Sequence, residues 1–160
     1  MLAYHYMDTL THSKTLTARA LYEVDFYQWV FHNANLLRQG RLTEIDIENI
    51  VEELEDMGRN NKRELASRIM VLIKHLLKWQ YQPKRRCRSW SMTIDNQRSD
   101  INRLLEDSPS LKYNIETVTT KEFIEAKRRF ENETGISASE LPRNCPYTFE
   151  QLMDYSFRPE

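Results

Sequence analysis

Glycine is scarce in this chain: three residues in 160, at positions 40, 58 and 135. Isolated glycines cannot build the loop whose backbone N–H groups cradle a phosphate, so no P-loop and no dinucleotide fingerprint is present. Cysteine is scarcer still. Cys87 and Cys145 form no Cys-x-x-Cys pair and no metal-ligand spacing, which fits a reducing cytoplasm, with a Cys87–Cys145 bridge left open. Long apolar runs are also missing, and the greasiest stretch, Ile69 to Leu77, is interrupted by Lys74 and His75. A membrane span would need about 18 consecutive apolar residues, so none is expected. The opening MLAYHYMDTLTHSKTL has polar residues throughout and no core for a signal peptide. Net charge is close to absent at −1, so any electrostatic binding must come from a local patch. No segment alternates apolar and polar residues as a half-buried strand would.

What remains is 40% apolar and 29% charged residues with five prolines, the composition of a folded helical protein. Residues 1–20 lack periodicity and read as a weakly ordered leader, with one helical domain over 21–160. A first helix is predicted from Leu21 to Gln39 on a stripe of Phe26, Val30 and Leu37, flanked by Tyr22, Trp29 and Phe31, with Gly40 as its C-cap. Thr43 is the expected N-cap of a second helix whose buried stripe is Ile47, Ile50, Val51, Leu54 and Met57. The stripe continues in phase through Leu65, Ile69, Leu72, Leu76 and Trp79, and Pro83 ends it. Gly58 sits in the middle. A break there is expected, because Glu55 and Asp56 oppose the dipole of a helix C-terminus, although passage at a cost of about 1 kcal/mol is the alternative.

Further on, Ser89 or Ser91 caps a helix carrying Trp90, Ile94, Gln97, Ile101 and Leu104 up to Asp107. Ser108-Pro109 opens a short helix with Leu111, Ile115 and Val118. Another, from Thr120 to Thr134, buries Phe123, Ala126 and Phe130 and stops at Gly135. In the tail, Thr148 and Gln151 have capping-box spacing. The expected architecture is all-α, a compact bundle of about five to seven helices.

Charge is distributed unevenly over these helices. Residues 44–56 carry Glu44, Asp46, Glu48, Glu52, Glu53, Glu55 and Asp56 without one basic residue. Residues 59–88 carry ten basic residues against the single acid Glu64. The two halves can neutralise each other or offer separate charged faces to a partner.

The blocks LYEVDFYQWVF, LTEIDIENIVEELEDMGRNNKREL, HLLKWQYQPKRR, SWSMTIDNQRSDI and CPYTFEQLMD, in this order, resemble a bacterial family, domain of unknown function number twenty-nine, over Leu21 to Asp154. The resemblance implies a small all-α protein and brings no activity, substrate or cofactor with it.

The richest candidate site is the segment from Lys78 to Trp90, where Lys84, Arg85, Arg86 and Arg88 are interleaved with aromatics. Such a segment can bind phosphates through its cations and bases through Tyr81, since Trp79 and Trp90 fall on core stripes. The competing reading makes the arginines internal clamps on the acidic face of Glu52, Glu53, Glu55 and Asp56. Lys127, Arg128 and Arg129, beside Glu125 and Glu131, read as a solvated face. Glu52, Glu55 and His75 could hold a metal in a bundle, but the Glu-x-x-His pair of di-iron bundles is missing. For His75 alone, a bond to a carbonyl or acid is the simpler role.

No catalytic constellation is complete and no cofactor is implied. The leading expectation is therefore a non-enzymatic module for protein–protein contact that includes self-association as a homodimer. Two alternatives remain: a nucleic-acid-associated regulator using residues 78–90, and a metal-dependent enzyme using Glu52, Glu55 and His75. No small-molecule ligand is identified.

Overall fold

The computed structural model describes residues 17–160, and every described element is helical. In order, these are α1 (Ala18–Val24), α2 (Phe26–Arg38), α3 (Ile47–Tyr81), α4 (Arg88–Asp107), α5 (Ile115–Thr134) and α6 (Phe149–Met153). Short 3-10 turns at Pro83–Arg85, Pro109–Lys112 and Ala138–Glu140 join the later helices. None of these helices is long and apolar enough to cross a membrane. The all-α expectation holds. The chain divides into two compact units, Met1–Met57 and Gly58–Glu160.

In the first unit, the expected helix from Leu21 to Gln39 is two helices, because Asp25 works in both directions. Its N–H closes α1 on the Leu21 carbonyl, and its carboxylate caps α2 by accepting from the Gln28 N–H at 2.9 Å. The expected leader falls outside the described residues for 1–16, whereas Thr17 caps α1 and Ala18 is buried. Gly40, at φ 69°, ends α2 as expected. The Gly40 and Arg41 N–H groups donate to Leu37 and Leu36 carbonyls, a Schellman end that needs the left-handed backbone glycine allows. α3 starts at Ile47 with Asp46 before it, so Thr43 is not its cap.

The α2 stripe is displaced by one residue from the predicted one. Trp29, Asn33 and Leu36 are buried, whereas Phe26, Val30 and Leu37 are exposed. A polar network sets this choice. The Trp29 indole Nε1 donates to Asp46 Oδ2 at 3.2 Å, the Asp46 N–H donates to Asn33 Oδ1 at 2.9 Å, and Asn33 Nδ2 donates to the Trp29 carbonyl at 2.9 Å. Asn49 adds a second donor to Asp46 at 2.6 Å. Buried polar groups are tolerated only when paired in this way.

α3 is helical through Gly58, and the expected break is absent. Helix interiors accept one glycine at about 1 kcal/mol, less than a new pair of helix ends would cost in unpaired backbone groups. Ile47, Val51, Leu54 and Met57, the predicted buried stripe, are exposed, and Ile50 is half-buried. Periodicity gave the apolar face correctly; nothing in periodicity says whether the chain itself covers that face.

The second unit has the larger core. α3 contributes Leu65, Ile69, Leu72, Ile73, Leu76 and Leu77, which meet Ile94, Ile101 and Leu105 of α4 and Phe123, Ala126 and Phe130 of α5. Each fully buried Leu, Ile or Phe contributes about 1.5–3 kcal/mol of transfer free energy. Cys87, not Ser89 or Ser91, precedes α4 and makes no side-chain cap. The two helices expected over 108–134 are a 3-10 turn from Pro109 and one helix from Ile115, separated at Asn114 with φ 60°. Gly135 stops α5 at φ 75°, and Thr148 with Gln151 forms the expected capping box on α6. Both cysteines are free thiols.

Candidate functional site

Three surfaces carry the chemistry. The first belongs to the Met1–Met57 unit. Among its described residues four buried ones are apolar, Ala18, Leu21, Trp29 and Leu36, while eleven large apolar residues between Val24 and Met57 are exposed. Tyr27, Val30 and Phe31 lie one helical turn apart on α2, and Tyr27 and Phe31 pack ring to ring at 4.7 Å. Ile47, Val51 and Leu54 follow at spacings of four and three on α3. Exposure reaches 74% at Tyr27 and 62% at Leu54, far more than an incidental surface apolar residue needs. Acids lie beside the α3 stripe. Glu48 pairs with Arg19 at 3.1 Å, and Glu53 accepts from the Tyr22 hydroxyl at 2.6 Å, which pushes that phenol up to about 12. Glu52 is exposed.

The second surface is the basic turn after α3. Arg86 donates to the Trp79 carbonyl at 2.8 Å and lies over the Trp79 ring at 5.3 Å. From the opposite end of the sequence, Arg158 also stands near that ring, at 5.9 Å. Within the Gly58–Glu160 unit, Lys84, Arg85 and Arg88 are exposed and bond to no side chain. Tyr81 is not a free stacking platform: it packs edge-on against Phe130 at 6.2 Å. Trp79 and Trp90 are half-buried, and the Lys78 ammonium sits 4.4 Å from the Trp90 ring centre.

The third surface, a groove of about 570 Å³, is bounded by the start of this unit's stretch of α3, the turn before α5 and the first turns of α5. Leu65, Ala66, Leu111 and Val118 line its apolar side; Arg59, Lys62, Arg63 and Lys121 line its basic side, with Glu122 as the one acid. Burial raises the Glu122 carboxyl above its ordinary value. No sequence motif marked this groove, because its lining comes from two separated stretches of chain, 59–66 and 110–122.

The metal candidates fare differently. His75 Nδ1 lies 2.8 Å from the Val71 carbonyl of its own helix, and burial lowers the basicity of the ring. Glu52 and Glu55 belong to the other unit. Among the described residues, no group of three or more His, Cys, Asp or Glu side chains could hold a metal ion.

Two charged arrangements escaped sequence reasoning. Glu133 pairs with Lys74 at 2.7 Å and with Lys78, whose side chain is buried. Burial alone would raise the Glu133 carboxyl; the hydrogen bonds from Lys74 and Lys78 prevail and hold it at about 2. Arg98 is completely buried in α4 and ties down the tail, donating to the Leu152 carbonyl at 2.6 Å and the Phe157 carbonyl at 3.0 Å. Arg158 reinforces this with a 2.7 Å bond to Asp95. The signal was present: Arg98 falls on the buried stripe between Ile94 and Ile101, where a charge is out of place unless bonded, and here Nε and Nη2 are bonded while Nη1 has no hydrogen-bond partner.

These arrangements tie segments of the one chain to each other. No curated protein and no solved structure matches the sequence. A family model does match, over residues 21–158. The chain therefore belongs to the family described as Domain of unknown function DUF29.

Proposed function

We propose that this protein is a non-enzymatic helical module that works through protein–protein contact, and that it associates with itself. The observation that carries this reading is the exposure of two apolar stripes in the Met1–Met57 unit, Tyr27, Val30 and Phe31 on α2 and Val51 and Leu54 on α3. At about 25 cal/mol per Å², leaving such side chains in water forgoes a large part of the free energy a folded surface can recover by association. The described part of this unit is about the size below which domains usually need a partner, a metal or a disulfide to persist. The flanking acids give the contact its selectivity: acidic residues 44–56 of one copy meet basic residues of another.

Light scattering across a concentration series tests the reading. The wild-type mass rises above that of one chain, whereas Val51→Glu with Leu54→Glu stays monomeric and keeps its helical circular dichroism. A strict monomer at high concentration, insensitive to salt, would sink the self-association reading.

The exposed cations Lys84, Arg85 and Arg88 also support a second reading, contact with a nucleic-acid backbone. With Tyr81 packed against Phe130, phosphate contact rather than base stacking would carry it. Binding to a single-stranded oligonucleotide should then weaken steeply with salt and disappear in Arg85→Ala with Arg88→Ala; no binding at low salt rejects it.

A further inference from the structure

We infer that the groove between Lys62 and Lys121 is the receptor for residues 47–57 of a second copy of this chain. The inference rests on the self-association reading and names the surfaces that would meet.

Charge decides which surface can cover the acidic segment. Seven acids and no base lie in 44–56, so two copies of that segment laid on each other would oppose carboxylate with carboxylate. Its cover must be basic and must also have an apolar floor for Ile47, Val51 and Leu54. The turn at Lys84, Arg85 and Arg88 is basic but has no such floor, since Tyr81 is occupied by Phe130. The groove has both. Leu111 and Val118 form part of its floor, and four basic residues line it against one acid. Lys62 and Lys121 make no hydrogen bond or ion pair among the described residues, so their ammonium groups are available. Arg63 is held only by a 3.3 Å bond to Asn60, one turn away and exposed.

Shape agrees with charge. Apolar anchors at spacings of four and three on one helix are what an amphipathic helix presents to a groove. Ile47, Val51 and Leu54 have that spacing, with Glu48, Glu52 and Glu55 beside them. A volume of about 570 Å³ is in the range of pockets that enclose several apolar groups. Tyr113, 82% exposed at the groove's edge, supplies a flat aromatic surface that a second helix would cover.

Charge reversal tests the pairing on the full chain. One variant carries Lys62→Glu with Lys121→Glu; the other carries Glu48→Lys with Glu52→Lys. Each alone is expected to weaken self-association by about 100-fold, as loss and reversal of facing charges should, while helical circular dichroism is kept. Mixed in equal amounts, the two restore the mass of a two-chain complex. Self-association undiminished in the groove variant overturns the site and leaves the self-association reading standing. A monomeric wild type overturns both. Separate folded monomers that do not recombine overturn the pairing of these surfaces. Should a reversed variant fail to fold, Lys62→Gln with Lys121→Gln gives the milder readout: about 10-fold weaker association with a reduced salt dependence. An unchanged constant in that variant also overturns the site.

Discussion

Glu133→Gln isolates the electrostatics that hold α3 to α5. In the fold the Glu133 carboxylate is bonded by Lys74 and by the buried Lys78, and its acidity is displaced from the ordinary 4.5 to about 2. A carboxyl depressed in the folded state stabilises it above the unfolded value and loses that contribution as pH falls through the folded one. The displacement corresponds to about 3 kcal/mol if taken whole. With 41% of the Glu133 side chain in water, solvent screening reduces this to about 1–2 kcal/mol. Urea unfolding followed by circular dichroism should therefore show Glu133→Gln less stable by about 1–2 kcal/mol near neutral pH. The gap should begin to close below about pH 4.5 and be nearly gone by about pH 2. Lys78→Met provides the contrast. It removes a buried ammonium and its carboxylate bond together, so its cost near neutral pH should be smaller than that of leaving Lys78 buried with a weakened partner. A Glu133→Gln penalty that stays constant down to about pH 2 would refute the reasoning, because a packing defect, not a charge, would then be responsible.

Other substitutions probe the remaining ties. Arg98→Ala deletes a buried side chain and leaves the Leu152 and Phe157 carbonyls without their donor; a loss of about 2–4 kcal/mol in urea unfolding is expected, and under 1 would contradict the tie. Asp46→Ala strands the Trp29 indole N–H; amides of α2 should exchange with deuterium about 10–100-fold faster, and unchanged exchange would remove Asp46 from the account. Thr148→Ala breaks the capping box of α6 and should cost about 1 kcal/mol, measured by the same urea unfolding; a neutral substitution would show that the box adds nothing.

Much of the fold was legible because stripe and cap are local properties. Phe123, Ala126 and Phe130 could be read as buried from spacing, and Gly40 and Gly135 as helix stops from their freedom at positive φ. What was misread depended on tertiary choice. Asp25 divides a helix because its side chain caps the next one, and Asn33 lies on the buried side of α2 because Asp46 waits there to bond it. Predicting either requires knowing which segments meet. The exposed stripe of Ile47, Val51 and Leu54 is the instructive case. Its period is the same as that of Leu65, Ile69 and Leu72, and only the structure distinguishes the covered half from the uncovered one. The candidate site was less legible than the fold. The basic turn stood out as a run, whereas the groove is assembled from Lys62, Leu111, Tyr113, Val118 and Lys121, residues that no linear pattern joins.

Hydroxyl-radical labelling read by mass spectrometry, on wild-type protein dilute and concentrated, bears most directly on whether the exposed apolar stripes of α2 and α3 are contact surfaces. Tyr27, Phe31, Leu54 and Met57 are exposed in a single chain, as is Met92 on α4. The account predicts that labelling at Tyr27, Phe31, Leu54 and Met57 falls as concentration rises, while Met92 is labelled equally throughout. Equal labelling of all five at every concentration would contradict it.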